Sequence, residues 1–217
     1  MTPVAIIAKA KEIGLDLIGI TDHNSTLQAR EIRRVGQLAG VEVLCGAEIT
    51  TREEVHVLAF VEGDDSLDKL QEWLTNNLIV VPNNPDIFGY QLVVNQNEDV
   101  IYQEDNLLIG AIDKSIEEVE EFVHSLGGIF IPAHIDKQQN SVISQLGFLP
   151  THLRVDALEL SSNVNIEDFK KMNSYIAKKP FIQSSDAHYI DDIGKVYTEL
   201  KTEGTTFEQI KSAINRI

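Results

Sequence analysis

Six residues have the types and positions that bind metal ions: His23, Glu48, His56, His134, Asp186 and His188. Imidazole and carboxylate ligands together suit zinc, manganese or iron. Asp186 and His188 are two apart, so on extended backbone they point to the same side. They could share one ion or bind two neighbouring ones. A carboxylate such as Glu48 can also bridge two ions and lower their mutual repulsion. Paired ions activate water and neutralise a phosphoryl group during in-line attack.

The elements that must position these residues can be read from the apolar pattern. Asp22-His23 follows the strand-like run Leu17-Ile18-Gly19-Ile20, and Glu48 ends the run from Val43 to Ala47. His134 follows Ile129-Phe130-Ile131-Pro132, and Asp186 and His188 follow Ile182-Gln183-Ser184. Barrels and parallel sheets gather their active sites at the carboxyl ends of strands. His56 is the exception, because it starts an apolar run instead of ending one. Between the strands lie helical patterns: 25–38 with Ser25 as the expected cap, 67–74, 115–126 with a Ser115/Glu118 capping box, 166–178 and 207–217. Continuous apolar strands suit a parallel sheet covered by helices. The reading is an α/β fold in one domain spanning 1–217, and the pattern alone allows a barrel or an open sheet. Residues Pro82 to Asp113 break the alternation and read as an insertion, with a hairpin over Gln91–Tyr102 turning at Asn95-Gln96-Asn97. The chain opens on a helix, with Pro3 in the first turn and Thr2 as its cap. A barrel normally opens with a strand, so a first strand is expected to be missing.

The bulk numbers remove several classes. With 217 residues and 43% hydrophobic content, the chain can build a real core. No apolar run approaches the ~18 residues of a membrane span, and Met1-Thr2-Pro3 does not begin a secretory signal. One cysteine, Cys45, excludes an internal disulfide, and the expected setting is the cytoplasm. A net charge of −16 disfavours general nucleic-acid binding and mildly favours a small phosphorylated molecule or nucleotide as partner. Ser184-Ser185-Asp186 lacks the glycine-x-serine-x-glycine setting of a nucleophile elbow, and there is no phosphate-cradling glycine loop. His124 reads as a surface or helix-packing residue, His152 as a structural or solvated loop residue and Cys45 as core. Arg52 and Lys137 lie near the ligand motifs but do not by themselves make a phosphate site.

Five segments in order, Gly19-Ile20-Thr21-Asp22-His23-Asn24, Gly46-Ala47-Glu48-Ile49, Val55-His56-Val57-Leu58, Pro132-Ala133-His134 and Ser185-Asp186-Ala187-His188, resemble successive motifs of the PHP (polymerase and histidinol phosphatase) family. The resemblance covers residues 3 to 200 apart from the insertion. It implies a distorted (β/α)7 TIM-like barrel with up to three divalent metal ions, and hydrolysis of phosphate esters by a metal-bound hydroxide. By the same resemblance Glu48 would bridge two ions, His56 and His134 would complete the second ion's shell, and Asp186 would bind the first. His23 and His188 would bind the third, and Asp22 would orient its neighbours from a second shell.

The family's opening strand, ending in histidine-x-histidine, has no counterpart in this sequence. The resemblance therefore implies fewer than three ions, because the first would keep only Glu48 and Asp186 and only the second would keep its full set. The expectation is that the chain starts at an internal methionine, since Met1-Thr2-Pro3 falls where the family's first helix begins. An exposed sheet edge would also invite self-association. Two other functions stay open: a non-catalytic metal-binding or regulatory PHP-like protein, and a related metallohydrolase acting on amides or lactones.

Overall fold

The computed structural model describes all residues from Met1 to Ile217. The chain opens with α1 (Pro3–Glu12), whose Thr2 hydroxyl accepts from the Ala5 amide, and continues into β1 (Leu17–Ile20). Helix α2 (Leu27–Ala39) ends on Gly40, which takes the left-handed φ of 76° that stops a helix without a Cβ clash. Its cap position is Thr26 rather than Ser25, although the Ser25 hydroxyl accepts from the Leu27 amide at 3.4 Å. Then come β2 (Glu42–Thr50), β3 (His56–Phe60) and α3 (Gly63–Asn77). The short helix α4 (Pro85–Phe88) and the hairpin β4 (Gln91–Val94)/β5 (Val100–Glu104) occupy the segment that breaks the alternation. The predicted capping box opens α5 (Ile116–Ser125), which leads to β6 (Ile129–Pro132). The chain closes with α6 (Val142–Leu146), β7 (Leu158–Leu160), α7 (Ile166–Met172), β8 (Phe181–Gln183) and α8 (Phe207–Ile214).

The fold is mixed α/β, and its main sheet is not all parallel. The strand order is β1-β2-β3-β6, and β7 pairs with β8. Strand β1 runs parallel to β2, but β3 runs antiparallel to both β2 and β6. The five residues between Thr50 and His56 are too few for the crossover that a parallel neighbour needs, so the chain can only turn back as a hairpin. Backbone bonds carry the sheet onward, from the Asp156 amide to the Phe130 carbonyl and from the Ile135 amide to the Glu159 carbonyl.

Alternation along β2 divides the core in two. Val43, Cys45, Ala47 and Ile49 face a layer that includes Ile7, Ile32, Leu70 and Val119 from the helices. Leu44 faces the other way, with Leu58, Phe60, Ile129 and Ile131, against Phe207, Ile210 and Ile214 of α8. Gly46 shares that second face. A Cβ there would stand 1.9 Å from the Ala59 carbonyl oxygen, so only glycine allows β3 to approach this closely. Lys211 of α8 donates to the carbonyls of Gly127 and Gly128. Helix α8 therefore covers the start of β6, the end of the sheet opposite His134.

Candidate metal centre

The reversed direction of β3 explains the misplaced histidine. Because β3 starts where β2 ends, His56 is directly opposite Thr50, and Val57 is opposite Pro132. His56 thus lies at the same end of the sheet as residues that follow strands β1, β2 and β6.

Glu48 is the centre of the group. Its Oε1 lies 3.0 Å from Nδ1 of His56 and 3.5 Å from Nε2 of His134, and its Oε2 lies 3.3 Å from Nδ1 of His23. Donor atoms of His23, Glu48 and His56 all fall within 4.8 Å of one another. The His56 ring is 5.4 Å from that of His23 and 5.3 Å from that of His134. Farther out, the His188 ring is 6.5 Å from His23, and its Nε2 is 3.5 Å from Oδ1 of Asp186. The structure thus brings all six sequence-selected residues to one mouth. Glu48, His56 and His134 are buried, Asp186 is partly open and His188 is mostly exposed. Asp22 is exposed as a whole residue, although burial raises its carboxyl, and its backbone carbonyl accepts from the Glu48 amide.

The electrostatics suit a cation. Burial pushes the Glu48 carboxyl up, but the imidazoles of His134 and His56 and the charge of His23 outweigh that and hold it well below the usual range. Burial lowers the His23 imidazole, against the opposing pull of Glu48. A neutral histidine and an ionised carboxylate are the forms that ligate. Nδ1 of His23 and Nδ1 of His134 are buried without a hydrogen-bond partner; the 3.3 Å approach of His23 to Glu48 is too poorly aligned to be one. Buried polar atoms are normally satisfied. At His23 an Nδ1 lone pair facing the Glu48 carboxylate is repulsive, and an ion between the two relieves that contact; His134 turns its other nitrogen, Nε2, toward Glu48. The donor set therefore fits a transition-metal ion.

Residues that the sequence reading passed over hold this geometry. Asn24, in the left-handed region at φ 46°, accepts from the Thr50 amide through Oδ1 and donates from Nδ2 to the carbonyls of Leu108 and Gly110. It ties the loop after β1 to the end of β2 and to the segment beyond the β4/β5 hairpin. Glu159 on β7 accepts from the His134 amide and from the Ser184 hydroxyl. A carboxylate inside the apolar run Ala157-Leu158-Glu159-Leu160 was the available signal. Lys137 donates to Oδ2 of Asp186 at 2.8 Å and brings a cation to the mouth. Arg52 is instead paired with Asp113 and Glu118.

The remaining histidines and the cysteine lie elsewhere. His124 packs from its helix between Glu120 and Asp156, bridging the two. His152 is mostly exposed, 3.5 Å from Glu117. Cys45 is buried, and burial raises its thiol to about 11, which makes it inert.

A mixed α/β scaffold with histidines and carboxylates collected at one end of its sheet defines a metal-centre protein. The chain belongs to the PHP domain family: the model of the PHP domain matches residues 1–135, and that of the PHP-associated domain matches residues 176–216. It is 24% identical to the uncharacterized protein YqxK of Bacillus subtilis over a 232-residue alignment, covering 96% of this chain and 54% of that protein. Among solved structures, endonuclease Q in complex with a 27-mer duplex substrate, with an abasic lesion at its active site, superimposes with a TM-score of 0.72. That match has 20% identity and covers 100% of this chain and 52% of the other. A provisionally assigned metal-dependent phosphoesterase of Bifidobacterium adolescentis gives a TM-score of 0.63 at 17% identity, covering 99% and 91%. At such identities the likeness is one of fold. The chain spans about half the length of the curated relatives it matches.

These comparisons correct one expectation. The net charge of −16 was read as disfavouring nucleic acid, but a protein of this fold was solved on a DNA duplex. Net charge averages over the whole surface, whereas the field at a metal-lined mouth is set locally. No helix is long and apolar enough to cross a membrane.

Proposed function

We propose that this chain is a metal-dependent hydrolase of phosphate esters, with its ions held by His23, Glu48, His56, His134, Asp186 and His188. The observation that carries the reading is the convergence of three imidazoles on the one buried, ionised carboxylate of Glu48. A divalent ion bound there supplies Lewis acidity for activating water and for neutralising phosphoryl charge. Glu48, His56 and His134 are the most buried of the six, while His23, Glu48 and His56 have donor atoms within 4.8 Å of one another; either trio would leave an open position, the usual arrangement of a catalytic ion. Asp186 and His188 extend the site toward solvent. Lys137 provides a cation that a phosphoryl oxygen can meet in exchange for Asp186. Asp22 orients Glu48 through its backbone.

The architecture is read in the same terms, as one domain over 1–217 with an insertion near 82–113. On this reading the sheet β1-β2-β3-β6 and the pair β7-β8 are parts of a distorted barrel of the seven-stranded kind.

Elemental analysis, followed by assays on phosphate monoesters, phosphodiesters and a duplex with an abasic site, tests the proposal. The expected result is at least one transition-metal equivalent, and turnover that a chelator abolishes and zinc or manganese restores. Bound metal without turnover of any ester would select a non-catalytic role. Turnover of amides or lactones alone would select a related metallohydrolase.

A further inference from the structure

Glu159 is a buried carboxylate that the proposed chemistry does not use. It is 4% exposed, and its hydrogen-bond partners are a backbone amide and a hydroxyl, neither of them a cation. A carboxylate in such surroundings is costly, so its position calls for a reason. Strict alternation along β6 would place His134 on the outer face with Phe130, because Ile129, Ile131 and Ala133 face inward. Instead His134 has φ 30°, in the left-handed region, and its Nε2 reaches to 3.5 Å from Glu48. The extended run ends at the residue that must turn inward. The amide of that residue donates to Oε2 of Glu159 at 3.1 Å, and the next amide, of Ile135, donates to the Glu159 carbonyl at 2.9 Å. On the other side, Oε1 of Glu159 accepts from the hydroxyl of Ser184, two residues before Asp186. Asp186 is also left-handed, at φ 45°. One carboxylate therefore grips both turns that deliver ligands from β6 and β8.

We infer that Glu159 is a positioning residue of the metal centre, fixing the backbone turns that aim His134 and Asp186 at the ion. The inference rests on the metal-binding reading above. A non-glycine residue at positive φ needs its surroundings to over-determine it, and Glu159 supplies that constraint at His134. Removing its side chain lets the turn relax to ordinary φ and swings the imidazole away from Glu48.

Cobalt(II) serves as the probe, because its visible spectrum reports coordination geometry. The wild type, Glu159→Gln and Glu159→Ala are titrated with cobalt and melted without it. Glutamine keeps an oxygen for the His134 amide, so it is expected to bind cobalt nearly as the wild type does, with the same spectrum. Alanine is expected to bind about tenfold to a hundredfold more weakly, the range for residues that orient metal ligands, and with an altered spectrum. If alanine lowers only the melting temperature while affinity and spectrum stay those of the wild type, the inference is overturned and the metal reading stands. If the wild type itself binds no cobalt, both fall. Should Glu159→Ala not fold, Ser184→Ala replaces it: weaker cobalt binding with an unchanged melt supports the inference, and unchanged binding overturns it.

Discussion

His56 stands directly across from Thr50 in the antiparallel pairing of β2 with β3, and that register sets its Nδ1 3.0 Å from Oε1 of Glu48. A residue that opens a strand thereby joins residues that close other strands. If His56 is a ligand, His56→Ala weakens zinc binding by more than about a hundredfold, beyond the loss typical of residues that only support ligands. Competition against a chromophoric chelator measures this. An affinity within error of wild type would remove His56 from the ligand set.

Metal should also stabilise the fold, because a preformed site binds the native state and not the unfolded one. At a free zinc concentration a hundred times the dissociation constant, mass action adds about 2.7 kcal/mol. For a chain of this size, that raises Tm by roughly 5–11 °C. Scanning calorimetry with and without zinc tests it. The same scan on Glu48→Gln should show no rise, because the central carboxylate is gone.

Asn24 gives a prediction independent of the metal. Its side chain satisfies the Thr50 amide and the carbonyls of Leu108 and Gly110, and it is 2% exposed. Each buried polar group left without a partner costs about 1–3 kcal/mol. The Thr50 amide is buried and the two carbonyls are partly buried, so Asn24→Ala is destabilising by roughly 3 kcal/mol. Tm should then fall by roughly 6–12 °C, read by calorimetry in the presence of chelator. A drop of a degree or less would show that the tie between this loop and the hairpin segment does not bear on stability.

At the far end of the sheet, His124 links Glu120 to Asp156. The hydrogen bond to Asp156 raises the His124 imidazole, against burial and with help from Glu120. Burial raises the Asp156 carboxyl, but His124, the Phe130 amide and Asn215 outweigh it and lower it. The histidine's contribution is complete below its unfolded pKa of ~6.5 and is lost as pH rises through its higher folded value. The aspartate's is complete above its unfolded pKa of ~3.9 and is lost as pH falls through its lower folded value. The stability gap between wild type and His124→Gln should therefore be widest between about pH 4 and 6.5 and shrink on both sides. Denaturant melts across pH measure it. A gap that widens above pH 7 would show that charge on His124 contributes nothing.

The sequence made the histidines and carboxylates that gather at one mouth, and most elements, legible, since each depends on local pattern. Strands β1, β2, β6 and β8 and the capping box of α5 follow from apolar runs and one spacing. The reversal of β3 was less visible, although the short link from Thr50 to His56 contained the reason for it. Asn24 and Glu159 were missed because their partners lie 84 and 25 residues away, at Leu108 and His134. A hydrogen bond to a distant backbone group leaves no periodicity to read. His124 reads from the sequence as a surface or helix-packing residue, and its second partner, Asp156, is out of local view because it comes from 32 residues downstream. The partner reading failed on scale, since a whole-chain charge says little about one mouth.

The five residues from Thr51 to Val55 do more than turn the chain. Strand faces alternate with every residue, so one amino acid added to or removed from this stretch would reverse which side of β3 His56 presents. Surface loops usually tolerate insertions and deletions freely. Here loop length itself is a determinant of coordination chemistry, and lineages that keep the metal centre should hold this connector's length fixed even as its side chains vary.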